Sequence, residues 1–156
     1  MHLEIKEAQS SAQLDDLRTL FREYAAALPI DLGYQHFEDE LSSLPGAYSA
    51  PVGALWLAYG GALPAGCVAV RPLEPLVAEM KRLYVRPGWR GTGLGKKLAQ
   101  KTIAFAKHAG YQKMRLDTLA SMSRARTLYA SLGFQEIPAY YPSPIVETVF
   151  MELTLA

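Results

Sequence analysis

The chain has 156 residues, of which 50% are hydrophobic and 20% charged, with a formal net charge of +1. That length suits one domain with a sizeable core, and the near-neutral balance gives no electrostatic basis for nucleic-acid or membrane-surface binding. The single cysteine, Cys67, excludes an intrachain disulfide and a multi-cysteine zinc site and suits a reducing compartment.

Taken in chain order, Leu3 and Ile5 alternate with polar neighbours, so residues 2–7 read as a strand, and the N-terminal segment lacks the apolar run of a secretory signal. Ser10 or Ser11 caps a helix in which Leu14, Leu17, Leu20, Phe21, Tyr24 and Leu28 recur on one face, up to Pro29. Residues 34–43 form a second, shorter helix. From Leu41 to Val70 there is no charged residue, but three prolines and Gly60-Gly61 interrupt the stretch. That pattern predicts two strands, 54–59 and 66–71, around a turn, rather than a membrane span. A third strand covers 77–85 and ends at Pro87-Gly88. Gly93 to Ala109 is a helix with Leu94, Leu98 and Phe105 on one side, stopped at Gly110. A strand at 114–119 follows, then a helix capped by Ser121 or Ser123 and closed at Gly133. Strands at 134–137 and 146–154 finish the chain, with the Tyr140–Pro144 segment as a loop between them. The expected architecture is a single mixed α/β domain over residues 1–156, with helices flanking a mostly antiparallel central sheet.

The densest chemical signal is the strand–turn–helix segment Leu83 to Lys96. A glycine-rich turn that opens a helix presents main-chain N–H groups with no internal partner, and the helix dipole favours an anion there. Gly91, Gly93 and Gly95 leave room for phosphate oxygens, and Arg90 and Lys96 add positive charge. Neither a nucleoside-triphosphate P-loop nor the dinucleotide fingerprint fits the glycine spacing.

The run Arg90-Gly91-Thr92-Gly93-Leu94-Gly95 resembles the Arg/Gln-x-x-Gly-x-Gly/Ala signature of the GNAT N-acetyltransferases. The preceding Leu83–Pro87 is similar to the strand that enters that signature, and Ala125–Phe134 to the family's Ala-x-x-Leu-Tyr-x-x-Leu-Gly-Phe element. The resemblance implies a cytoplasmic, metal-independent enzyme of the GNAT-type acyl-CoA N-acyltransferase fold. It implies acetyl-CoA as cosubstrate and a small-molecule or peptide amine as acceptor. Protein N-terminal or lysine acetylation, or a non-catalytic acyl-CoA-binding sensor, stand as alternatives, and the oligomeric state, a homodimer included, stays open. By the resemblance, the amides of Arg90, Gly91, Thr92, Gly93, Leu94, Gly95 and Lys96 hold the coenzyme pyrophosphate. The backbone of Leu83, Tyr84 and Val85 meets the pantetheine arm and the acetyl carbonyl.

The chemistry needs an amine without its extra proton, and a lysine-like amine with a pKa near 10.4 is free in only about one molecule in 2,500 at pH 7. A base or a water chain must take that proton, and the departing thiolate needs one back. The resemblance gives Tyr129 the second task; its bland alternative is a packed helix tyrosine. By the same resemblance the base is Asp117, twelve residues before Tyr129, or Glu79 on the strand entering the signature, with water alone as the remaining reading. For either carboxylate, a structural ion pair is the competing reading. One departure is Met122, where many relatives carry a coenzyme-contacting Asn; Ser121 or Ser123 is the available substitute.

Cys67 reads as a small core residue, and His2, His36 and His108 have no ligand spacing. Lys81, Arg82 and Arg86 meet the coenzyme's adenosine phosphate or form a solvated strand face. Residues 28–48 and the Tyr140–Pro144 loop are the expected acceptor region, with Tyr34, Phe37, Tyr140 and Tyr141 either lining it or packing within the loops.

Overall fold

The computed structural model describes residues 2–155, apart from the side chain of Tyr34. Seven strands form one sheet: β1 (Leu3–Glu7), β2 (Ala54–Gly60), β3 (Leu63–Glu74), β4 (Val77–Val85), β5 (Lys113–Leu119), β6 (Gln135–Ile137) and β7 (Thr148–Thr154). Their spatial order is β1-β2-β3-β4-β5-β7-β6, and every neighbouring pair is antiparallel except β4 with β5. Four α-helices flank it: α1 (Ser11–Ala27), α2 (Phe37–Ser43), α3 (Leu94–His108) and α4 (Ser123–Ser131).

The sheet is covered on both sides, and the period-2 alternation of β2 and β3 sorts the core into two layers. Trp56, Val68 and Met80 face Leu94 and Leu98 of α3. Leu57, Cys67 and Ala69 face Leu17, Leu20 and Phe21 of α1 and Leu41 of α2. Burying each of those large side chains favours folding by about 1.5–3 kcal/mol. α1 begins with a capping box: Gln13 N–H donates to Ser10 Oγ (3.2 Å), and Ser10 N–H to Gln13 Oε1 (3.0 Å).

The elements depart from the sequence reading in three places. The second helix is divided: a 3-10 turn over Leu32–Gln35 precedes α2, and the break falls at His36, a non-glycine residue at φ +57°. Strand β3 runs on to Glu74 because its continuation pairs with Val77 across a tight turn. The helix expected to be capped by Ser121 or Ser123 has Met122 at its N-cap and no side-chain cap at all.

Two irregularities of β4 shape the molecule's centre. Pairing with β5 holds only at Val77↔Lys113, Ala78↔Met114 and Glu79↔Arg115, beyond which the two strands part. On the other edge Ala69 opposes Lys81 and Cys67 opposes Tyr84, so Arg82 and Leu83 together face Val68. This is a β-bulge with Arg82 at φ +61°.

Candidate functional site

Strand β4 leads through a 3-10 turn, Pro87–Trp89, into α3. Thr92 Oγ1 donates to the Trp89 carbonyl (2.6 Å) and Arg90 Nε to the Val85 carbonyl (3.1 Å), which folds the turn back on the strand that feeds it. Gly91 and Gly93 both have φ +82°, and a Cβ at either would meet nothing within 4 Å. Their glycine identity therefore follows from left-handed backbone, with open space in front of it, rather than from crowding by protein. Gly95 is different: a Cβ there would be in ordinary contact with Leu128 (3.7 Å) and Val85 (3.8 Å). Gly93 is the N-cap, no side chain caps the helix, and its first turn has no acidic residue. The opening N–H groups of α3 thus face a positive, uncapped end with Arg90 and Lys96 exposed beside it.

Next to this turn, the parting of β4 from β5 leaves a small cavity of about 50 Å³, lined by Met80, Leu83, Leu116, Asp117, Met122 and Tyr129 among others. Main-chain groups of β4 beyond Glu79 have no strand beside them on that edge. Tyr129, on α4, is 7% exposed and stacks edge-to-face on Phe134 at 5.9 Å. Burial pushes its hydroxyl pKa up, so the group stays protonated throughout the physiological range. Met122 also lines this gap, receiving a weak contact from Thr118 Oγ1 at 3.6 Å.

The two expected base candidates lie on the α1–α2 side of the gap and in different surroundings. Glu79 is 2% exposed and uses both oxygens: Oε1 accepts from Arg71 Nε (2.9 Å), Oε2 from the Tyr140 hydroxyl (2.6 Å). Asp117 is half-buried; Oδ2 accepts from the Tyr141 hydroxyl, and Oδ1 makes no hydrogen bond among the described residues. Tyr140 and Tyr141 pack edge-to-face on each other and on Phe150, at 5.6, 5.0 and 5.1 Å between ring centres. One loop therefore reaches over both carboxylates. Burial and Glu79 together push the Tyr140 pKa up, which fixes it as a hydrogen-bond donor.

Lys81 and Arg82 of β4, and Arg86 just beyond its end, correct the sequence reading of a solvated strand face. Arg82 is buried, donates to Glu40 through Nε (3.0 Å) and Nη2 (2.8 Å) and to Gln35 Oε1 through Nη1 (2.8 Å), and lies between the rings of Tyr24 and Phe37. Lys81 is buried too, with Nζ 3.4 Å from Gln35 Oε1 and 4.0 Å from Glu79. Arg86 makes a two-point pair with Glu23 at 2.9 and 2.6 Å, joined by the Tyr84 hydroxyl at 3.2 Å. The partners Glu23, Gln35 and Glu40 come from α1 and the α2 region, more than forty positions away, so no local spacing announces them. Phe37 packs in the core under Arg82, while Tyr140 and Tyr141 line a cleft of about 440 Å³ beside the gap; the side chain of Tyr34 lies outside the described residues. Among the described residues no group of three or more His, Cys, Asp or Glu side chains is arranged to hold a metal ion, and no helix is long and apolar enough to cross a membrane.

Residues 14–134 match the family model described as acetyltransferase (GNAT) family. An uncharacterised N-acetyltransferase of Schizosaccharomyces pombe is 39% identical over 159 aligned residues, covering 99% of this chain and 96% of the relative. The structure of an acetyltransferase from Streptococcus agalactiae superposes with a TM-score of 0.78 at 26% identity, covering 98% of each chain. That of the PaiA N-acetyltransferase of Thermoplasma acidophilum in complex with coenzyme A has the same fold, with a TM-score of 0.76 at 20% identity and 99% of each chain covered.

Proposed function

The chain belongs to the GNAT acetyltransferase family, and on that premise we propose that it transfers the acetyl group of acetyl-CoA to a primary amine, with the uncapped turn and the β4–β5 gap as its cosubstrate site. The observation that carries the reading is the adjacency of two features. A left-handed glycine turn opens α3 without a cap, and a strand edge without a partner ends at that same turn. A diphosphate fits the first, because the opening N–H groups of a helix have no intrahelical partner and the first turn of α3 carries no acidic residue. An amide-containing arm fits the second, because it would complete the missing strand pairing with Leu83, Tyr84 and Val85. Arg90, Gly91, Thr92, Gly93, Leu94, Gly95 and Lys96 would hold the diphosphate, and Met122 takes the place of a polar side chain with an apolar wall.

Bound acetyl-CoA supplies an acetyl group activated as a thioester, with a thiol as leaving group. A C–N bond forms and a C–S bond breaks, so one proton leaves the amine and one reaches the sulfur. Asp117 is the stronger candidate for the first transfer. Among the described residues one of its oxygens has no hydrogen-bond partner, and it sits at the gap, whereas both oxygens of Glu79 are already held. Tyr141 fixes the Asp117 carboxylate in place. Tyr129, kept protonated by burial, stands at the gap as the donor to sulfur. A main-chain N–H in the Leu83–Val85 stretch would polarise the thioester carbonyl, an effect typically worth about 3 kcal/mol per donor.

The test is release of free thiol from acetyl-CoA across a panel of amines, with Tyr129→Phe and Asp117→Asn beside the unaltered chain. The expected result is amine-dependent release, a fall of about tenfold or more in turnover for each variant, and near-unchanged coenzyme affinity by calorimetry. Coenzyme binding without release for any amine would instead support a sensor. Equal turnover of the Tyr129→Phe variant would remove Tyr129 from the chemistry.

A further inference from the structure

Among the described residues, Lys81 is a buried charge without a close counter-charge. Its side chain is 5% exposed, and among the described residues its closest carboxylate contact is 4.0 Å away and its one hydrogen bond, to Gln35, is long at 3.4 Å. Taking an ammonium out of water without a close counter-charge is costly, and burial accordingly lowers its pKa. Lys81 lines both the β4–β5 gap and the neighbouring cleft of about 440 Å³.

The charges around that cleft do not balance. Arg82 and Glu40 satisfy each other through two hydrogen bonds. What remains on the cleft floor is Arg71 and Lys81 sharing the single carboxylate of Glu79. Arg71 spends only Nε on Glu79, and its two terminal nitrogens make no hydrogen bond among the described residues. An adjoining cleft of about 260 Å³ is walled by Arg71, Glu40 and Tyr48. The Tyr48 hydroxyl is buried and meets no partner in hydrogen-bond geometry. Two under-paired cations, Arg71 and Lys81, thus share the floor of the cleft of about 440 Å³. At the gap stands the opposite charge, Asp117, held by Tyr141.

We infer that this cleft is the acceptor site and that it takes amines that also carry a carboxylate, the amino-acid class, with the carboxylate on Lys81 and Arg71 and the amine toward Asp117. The inference rests on the acetyl-transfer reading and adds to it the acceptor's chemistry. A zwitterion matches a cleft that is cationic on its floor and that adjoins, through Lys81, the gap lined by Asp117. A plain alkylamine would leave Lys81 and Arg71 as they are, and a polyamine would place a second cation against them.

The experiment compares thiol release for matched pairs that differ in one group: free amino acids against their carboxamides and against the amines lacking the carboxylate. An N-terminal glutamyl peptide amide, whose only carboxylate is a side chain, is run alongside. The expected result is a preference in kcat/KM of about tenfold or more for the free carboxylate, the scale of a buried charge contact. Lys81→Met and Arg71→Gln should each cut that preference at least fivefold, mainly through KM. Arg71 is partly exposed, so its variant keeps the test decisive if Lys81→Met does not fold. A preference for the glutamyl peptide amide over free amino acids supports the same carboxylate contact with a peptide as its source. Release that is indifferent to the carboxylate, or a preference untouched in Arg71→Gln, overturns the inference and leaves acetyl transfer standing. Absence of release with every amine overturns both.

Discussion

The buried pair between Arg82 and Glu40 allows a quantitative forecast. Arg82 is 2% exposed in its side chain and Glu40 is 12% exposed, and the two guanidinium–carboxylate bonds are 2.8 and 3.0 Å long. Replacing Glu40 by Ala leaves the guanidinium buried with one neutral acceptor, Gln35 Oε1. Removing one member of such a pair typically costs about 3–5 kcal/mol, because the remaining charge is desolvated and uncompensated. A domain's whole stability is roughly 5–15 kcal/mol, so the variant should lie near the threshold of folding. For a chain of this size the midpoint moves roughly 2–4 °C per kcal/mol, which makes the expected fall about 6–20 °C. Chemical and thermal unfolding followed by circular dichroism measure both quantities. The double variant Glu40→Ala/Arg82→Met separates the causes. With both charges gone the desolvation penalty goes too, so it should be clearly more stable than the single variant. A Glu40→Ala loss under about 1 kcal/mol, or a double variant no better than the single, would refute the reasoning.

Two further outcomes follow from the same geometry. Gly93→Val should cost about 1–2 kcal/mol of stability, from forcing a β-branched residue to φ +82°, and should weaken coenzyme binding at least tenfold in calorimetry; an unchanged Kd would contradict the assigned role of the turn. Glu23→Gln should show a pH-dependent loss: the Arg86 guanidinium holds the Glu23 carboxyl below its ordinary value of 4.5. The pair's contribution, about 1 kcal/mol for a partly exposed ion pair, is therefore present above that ordinary value and fades as pH falls through the depressed folded-state value. Unfolding free energies of the two proteins should converge in acid, and a gap that persists there would show that the pair is not its source.

The sequence by itself was enough for whatever depends on neighbours along the chain. The capped periodic helix of Leu17, Leu20 and Phe21, the Val77–Val85 strand and the glycine-rich turn at 91–95 are local: each follows from the pattern of residues along the chain, whereas the left-handed backbone of Gly91 and Gly93 is seen only in the structure. The signature turn and the Tyr129 element are contiguous runs, so they were legible as motifs before any strand was paired. What governs the site is different in kind. The parting of β4 from β5 after Glu79, the bulge at Arg82 and the burial of Lys81 depend on register between strands far apart in sequence. The hydroxyls of Tyr140 and Tyr141 meet Glu79 and Asp117 across 61 and 24 positions, and Glu40 meets Arg82 across 42. A lone charged residue looks the same in sequence whether water or a distant partner satisfies it. Only the packed structure decides, because desolvation and pairing are properties of the surroundings rather than of the residue.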